Sequence, residues 1–214
     1  LDTMPVQEGG RKKPYFVFAQ ETLLSLTGRA RFEIDGRRME PDEIVTRIWV
    51  GDRDWAKVPL ILVNYLPLKK ETGLEGGRKL FSYEELASNP EIARLLGEAA
   101  AARVRDSRTP LRGVPKEAAS LGLRMALFES LVNGSAFRVV PAAGPAWKLL
   151  PPNAPDFGRL AAAVRSEDGV AFAEASGALR AALEKADPGE LPPAWKMQLE
   201  TAYQMLHPFR AAWI

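Results

Sequence analysis

The chain has 214 residues, 46% hydrophobic and 26% charged, with a formal net charge of +2. This is a globular composition, enough for one large domain or two small ones, and its balanced charge gives no argument for nucleic acid. Cysteine is absent and His207 is the one histidine, which excludes zinc fingers, thiolate catalysis, iron–sulfur ligation and CxxCH heme attachment within this chain.

In chain order, residues 5–13 (PVQEGGRKK) read as a basic extended opening loop. Pro14 suits the first position of a helix, where its missing N–H has no partner to lose. Tyr15, Phe18, Ala19, Leu23 and Leu26 give that helix an apolar stripe, and Gly28 supplies a left-handed stop. Phe32 and Ile34 alternate with Arg31 and Glu33 ahead of Asp35-Gly36, the signal of a short hairpin. A second helix is predicted from Pro41, burying Ile44, Ile48 and Trp49 and ending at Gly51. Residues 59–63 (PLILV) suit a short buried strand, and residues 71–79 a glycine-rich charged loop. Ser82 with Glu85 has capping-box spacing, and the Ala-, Leu- and Arg-rich stretch to about Asp106 reads as helix.

Residues 107–115, with Pro110, Gly113 and Pro115, are the clearest linker of the first half. The helix from Pro115 to Asn133 carries Ala118, Leu121, Met125, Phe128 and Val132 on one row. Leu123, Leu127 and Leu131 form a second row, which predicts burial on more than one side. Residues 137–141 and 147–151 read as two short strands around a turn at 142–146. Three helices follow, at 156–165, about 167–186, and from Pro193 onward, with Asp187-Pro188-Gly189 punctuating the last gap. In the final helix Trp195, Leu199, Ala202, Leu206, Phe209 and Trp213 make one continuous 4-3-4-3-4 seam, with a kink expected at 204–208 from Pro208. The expected fold is mainly α with a minor β component (α+β), a single domain over 1–214 with a subdivision near 107–115.

The two ends carry a further expectation. The chain starts at Leu1 without an initiator Met and closes on an apolar run with one basic residue, so it reads as a piece of a longer protein. No apolar stretch within it approaches the roughly 20 residues of a spanning helix. Trp213 beside Arg210 is nevertheless the pairing found where a chain enters a bilayer; an ordinary terminal helix is the plainer alternative.

Chemistry-bearing motifs are few. Gly9-Gly10-Arg11-Lys12-Lys13 and Gly76-Gly77-Arg78-Lys79 are basic glycine loops whose amides and cations suit an anion, although neither fits the phosphate-loop pattern. A lone His207 followed by proline supports neither a hydrolytic triad nor bis-histidine heme ligation. Glu84-Glu85 and Glu167-Asp168 fall at expected helix starts, where capping explains them. Trp49, Trp55, Trp147, Trp195 and Trp213 suit core or interface anchors. No catalytic constellation assembles from these residues.

Several segments are familiar in their order. Residues 5–14 (PVQEGGRKKP) resemble the "PV-x-x-x-GR-x-K-P" opening of a soluble region in the large System II cytochrome c biogenesis proteins, the fused heme exporter and cytochrome c synthase. Trp55 followed by Pro59-Leu60-Ile61, then Phe81-Ser82-Tyr83, then the helix 121–131 leading into residues 137–141 (FRVVP), echo the same region. The ending, residues 203–214 (YQMLHPFRAAWI), is similar to the "Y-N-x-L-x-P-F-R-x-x-W-I" segment that leads into a membrane helix there.

The resemblance implies a non-catalytic extracytoplasmic scaffold domain of a membrane protein for cytochrome c maturation, placed on the periplasmic side of the cell membrane. Its implied partners are apocytochrome c and other parts of the parent. Heme would be handled by the parent, with no cofactor in this fragment, because the family's tryptophan-rich heme signature is absent. This chain also has Leu123-Arg124-Met125 where the family often carries an acidic-Glu-Arg triplet, and His207 stands at an Asn-like position. The expected partner or anion-binding surface is Gly10, Arg11, Lys13 and Pro14, and the expected membrane-proximal residues are Pro208, Phe209, Arg210 and Trp213. Two rival readings are a soluble enzyme with a carboxylate-based site, which would need a pocket holding two carboxyls of raised pKa, and a nucleic-acid binder built on the basic loops.

Overall fold

A computed structural model of the chain describes residues 1–29 and 32–206. The fold is mainly α with a minor β component, 59% helical with nine α-helices among the described residues. The elements run β1 (Pro5–Glu8), β2 (Arg11–Pro14), α1 (Tyr15–Thr27), β3 (Phe32–Ile34), β4 (Arg37–Met39) and α2 (Pro41–Val50). A short 3-10 turn at Trp55–Lys57 precedes β5 (Ile61–Leu62), α3 (Leu66–Thr72), β6 (Leu80–Phe81), α4 (Tyr83–Ala87) and α5 (Pro90–Arg105). Then come α6 (Gly113–Val132), β7 (Arg138–Val140), β8 (Lys148–Leu149), α7 (Pro155–Ser166), α8 (Gly169–Ala186) and α9 (Ala194–Leu206). Among the described residues strands pair only as antiparallel couples: β1 with β2, β3 with β4, β5 with β6, and β7 with β8. No helix among the described residues is long and apolar enough to cross a membrane.

Contacts divide the described residues into two compact units, one of residues 1–23, 29, 32–53 and 130–206, the other of 24–28 and 54–129. The first is built on a ring cluster. Trp49 stacks on Phe137 with centroids 4.1 Å apart, and Phe18 meets Phe137 edge-on at 5.6 Å. Such aromatic pairs add about 0.5–1.5 kcal/mol beyond their buried area. Tyr15, the first residue of α1, is fully buried beside them, and its hydroxyl meets Thr46 Oγ1 at 2.8 Å. Thr46 spends its own hydrogen on the Asp42 carbonyl at 2.6 Å, so Tyr15 is the donor to Thr46. Helices α7 and α8 pack along each other, and α2 closes on α7 through Val50, Ala161 and Val164 with Phe157 and Phe172 alongside.

The second unit is centred on Leu60, Ile61, Phe81, Leu86, Ile92, Leu121 and Phe128, all buried. Tyr83 stacks on Phe128 at 5.3 Å. Gly28 ends α1 with φ +69°, and a Cβ there would lie 2.8 Å from Leu62 Cδ2, so both backbone conformation and space require glycine. Ser82 and Glu85 form a reciprocal capping box at the start of α4, which satisfies two helix-end donors at once.

The structure departs from the expected elements at several points. Residues 5–14 form a hairpin rather than an extended loop, and Pro14 closes β2 opposite Pro5 instead of opening α1. Gly9 and Gly10 take φ values of +56° and +81°, the conformation of a two-residue turn whose twist matches its strands. The helical stretch before Asp106 is two helices, because Asn89 caps a new start with bonds to the Glu91 and Ile92 N–H groups and Pro90 follows it. Helix α3 occupies part of the predicted second charged loop, and 107–115 falls inside the second unit. On α6, Leu123 is 74% exposed and Val132 is also open to solvent, so this helix buries one face, not two. The outer row of α9 is exposed as well. The expected kink at 204–208 runs beyond the described residues, and Arg31, His207, Phe209 and Trp213 also lie outside them.

Candidate functional site

The expected surface residues lie on the β1–β2 hairpin, and the hairpin is heavily ion-paired. Arg11 reaches Glu200 on α9. Lys12 binds the Glu190 carboxylate at 3.0 Å and stands 5.0 Å over the ring of Trp147. Lys13 is 5% exposed and holds both Glu8 and Glu21. Burial alone would pull the Lys13 ammonium down, but its bonds to Glu21 and Glu8 outweigh this and hold it above its ordinary value. Gly10 is at the exposed tip, whereas Pro14 is buried beneath it. The hairpin is anchored further by Gln7, whose Oε1 accepts from the Trp147 backbone N–H at 2.6 Å. An incoming anion would therefore have to displace a carboxylate that this chain already supplies.

In the second basic loop the carbonyls and Arg78 are engaged as well. Lys69 of α3, 2% exposed, donates to the Gly76 carbonyl at 3.0 Å and to the Arg78 carbonyl. Arg78 lies over the Phe81 ring at 4.4 Å and binds Glu85 at 2.7 Å. The Arg78 guanidinium holds the Glu85 carboxyl down at about 2. Arg124, within the Leu123-Arg124-Met125 segment, donates to the Ser25 carbonyl at 3.1 Å.

A cluster that sequence spacing did not bring together surrounds Arg47. Its guanidinium binds Asp52 at 2.7 Å, Glu167 at 2.9 Å and Glu43 at 3.1 Å. Arg37 joins Glu43 at 2.9 Å and Glu167 at 3.2 Å. Glu167 is thus no helix-start cap: it ends α7 in the left-handed conformation and turns its carboxylate to Arg47, while Asp168 alone caps α8. The cluster borders a cavity of about 250 Å³ whose walls include Asp2, Asp42, Thr46, Val164 and Phe172.

Burial, followed by the neighbouring Asp2, pushes the Asp42 carboxyl up. Arg47 instead draws Glu167 below its ordinary range. Of these two carboxyls at the cavity, Asp42 is raised and Glu167 is not. The signals for the cluster were weak in sequence, because Arg47 and Glu167 lie 120 positions apart. Among the described residues no three His, Asp or Glu side chains stand close enough together to hold a metal ion. Pro208, Phe209, Arg210 and Trp213, the expected membrane-proximal residues, lie outside the described segment.

Of the tryptophans expected as anchors, Trp49, Trp55 and Trp147 are buried. Trp195 is not: at 65% exposure it begins an apolar row continued by Leu199 at 63% and Leu206 at 75%. Comparison with known proteins adds no relative to this picture: no family model matches the chain and no curated protein is significantly similar to it.

Proposed function

We propose that the chain is a non-catalytic interaction domain on the extracytoplasmic side of a membrane protein for cytochrome c maturation, acting as a scaffold for apocytochrome or for other parts of its parent. One contrast carries the reading. Arg11, Lys12, Lys13 and Arg78 of the basic loops are committed to this chain's own carboxylates, while α9 turns an apolar row outward as it leads into the segment that resembles a membrane entrance. Internally paired charges favour a rigid platform, and an exposed apolar face favours contact with a neighbour. The ordered resemblance of residues 5–14, 55–61, 81–83, 121–141 and 203–214 supports the assignment to cytochrome c biogenesis. Heme ligation and thioether formation then belong to other parts of the parent.

The carboxylate-enzyme alternative is weaker, since Asp42 and Glu167 are shifted in opposite directions and Glu167 is spent on Arg47 and Arg37. The decisive experiment is a titration of the 214-residue chain, followed by amide chemical shifts, with heme and separately with an apocytochrome peptide bearing CxxCH. Saturable shifts with the peptide are expected. If neither ligand moves a signal, the partner-binding role is wrong.

A further inference from the structure

The outer face of α9 has a composition that suits one kind of occupant. At 100° per residue, Trp195, Leu199, Ala202, Tyr203 and Leu206 fall within about a quarter of the helix circumference. Met197 and Thr201, on the opposite side, are buried. The exposed side is therefore fully apolar or aromatic along its centre, with Gln198 and Met205 on one flank and Lys196 on the other. The acidic residue of this helix, Glu200, is mostly buried and tied to Arg11. No carboxylate of α9 faces outward, and its remaining charge is a cation.

We infer that α9 is an interfacial helix that lays this face along an anionic lipid surface. Trp and Tyr at headgroup depth, leucines below them and a flanking lysine are the distribution that binds a bilayer in its surface plane. The lysine matches the negative headgroups and would be repelled by a basic partner. A second copy of the chain fits less well: the five side chains of the row could bury only roughly 500–600 Å² together, below the ~800 Å² per partner of a stable interface. A helix lying at shallow depth in a headgroup layer needs no such area, because only the exposed side chains have to enter it. The ion pair between Arg11 and Glu200 and the contact of β2 with α9 hold the helix so that its apolar side stays outward.

The inference rests on the membrane-adjacent reading above, yet its test uses neither heme nor apocytochrome. The 214-residue chain is floated with phosphatidylcholine vesicles, with and without phosphatidylglycerol, while tryptophan emission is recorded. Binding to the anionic vesicles with a blue shift is expected. Leu199→Gln with Leu206→Gln should weaken it at least about tenfold, the change that 1.4 kcal/mol of lost apolar burial produces. Lys196→Glu should weaken it several-fold, with circular dichroism unchanged because all three side chains are exposed. Phe209→Ser with Trp213→Ser separates this face from the terminal run. The inference is overturned if vesicles fail to bind the chain, if binding survives the α9 substitutions and is lost only with the terminal pair, or if sedimentation shows a dimer that the α9 substitutions dissolve. A chain that binds vesicles but no apocytochrome peptide would keep the lipid face and lose the partner-binding role.

Discussion

Two loops of this protein share the residues Gly-Gly-Arg-Lys in the same order and adopt different structures. At Gly9-Gly10 both glycines are left-handed and the chain reverses into β2, so the following cations project from a strand toward carboxylates on other elements. At Gly76-Gly77 neither glycine is left-handed. There a buried lysine from α3 gathers the loop by its carbonyls, and Arg78 folds back on Phe81 and Glu85. The difference shows that a basic glycine loop is no anion site by itself. A cation there is available only if the surrounding fold has not already supplied an acceptor, and for Arg11, Lys12, Lys13 and Arg78 it has.

The largest effect should come from the buried lysine that organises the second loop. Lys69→Met keeps the chain length but leaves the Gly76 and Arg78 carbonyls without their donor, a loss of about 2–4 kcal/mol measured by urea unfolding. A change below about 1 kcal/mol would mean that the loop holds itself without Lys69. Next come paired glycine substitutions with opposite signs. Gly10→Ala meets no atom within 4 Å but forces a side chain into φ +81°, so it should destabilise by about 1–2 kcal/mol. Gly77→Ala has no such strain, its nearest neighbour being Glu75 Oε1 at 4.0 Å, and should stabilise by about 0.4–1 kcal/mol through the unfolded chain. Equal effects at both sites would erase the distinction between the loops.

The pH dependence should separate the loops further, with smaller effects. Glu85 titrates at about 2 in the folded protein against an ordinary 4.5, so its contribution is full above 4.5 and fades as pH falls from there toward 2. Lys13 is raised above 10.5, so its contribution is full below that value and fades as pH climbs past it. Glu85→Gln should flatten the acid limb of the stability profile, and Lys13→Met the alkaline limb. Crossed effects would show that these pairs do not govern the two limbs. The smallest change is expected for Arg11→Ala, whose side chain is 62% exposed: under about 1 kcal/mol by urea unfolding, shrinking further in high salt.

Elements specified by a few adjacent residues are legible in the amino-acid order. Asp35-Gly36 marks the β3–β4 turn, Ser82 with Glu85 marks the α4 cap, and the stripe from Tyr15 to Leu26 marks the buried side of α1. The Gly9-Gly10 turn carries the same kind of signal, since two glycines between short extended runs favour a hairpin, but the cations around it point to an open loop.

The amino-acid order by itself thus determined the helical class, most element positions and the apolar rows, because turns, caps and periodicity act over a few residues. Tertiary structure decided which of those rows are covered and which cations are spent. Leu123 and Leu131 belong to one predicted row, yet the first is exposed and the second buried. Arg47 finds Glu167 only because α2 packs on α7. Burial and long-range ion pairing depend on which elements meet, and no local pattern of residues encodes that meeting.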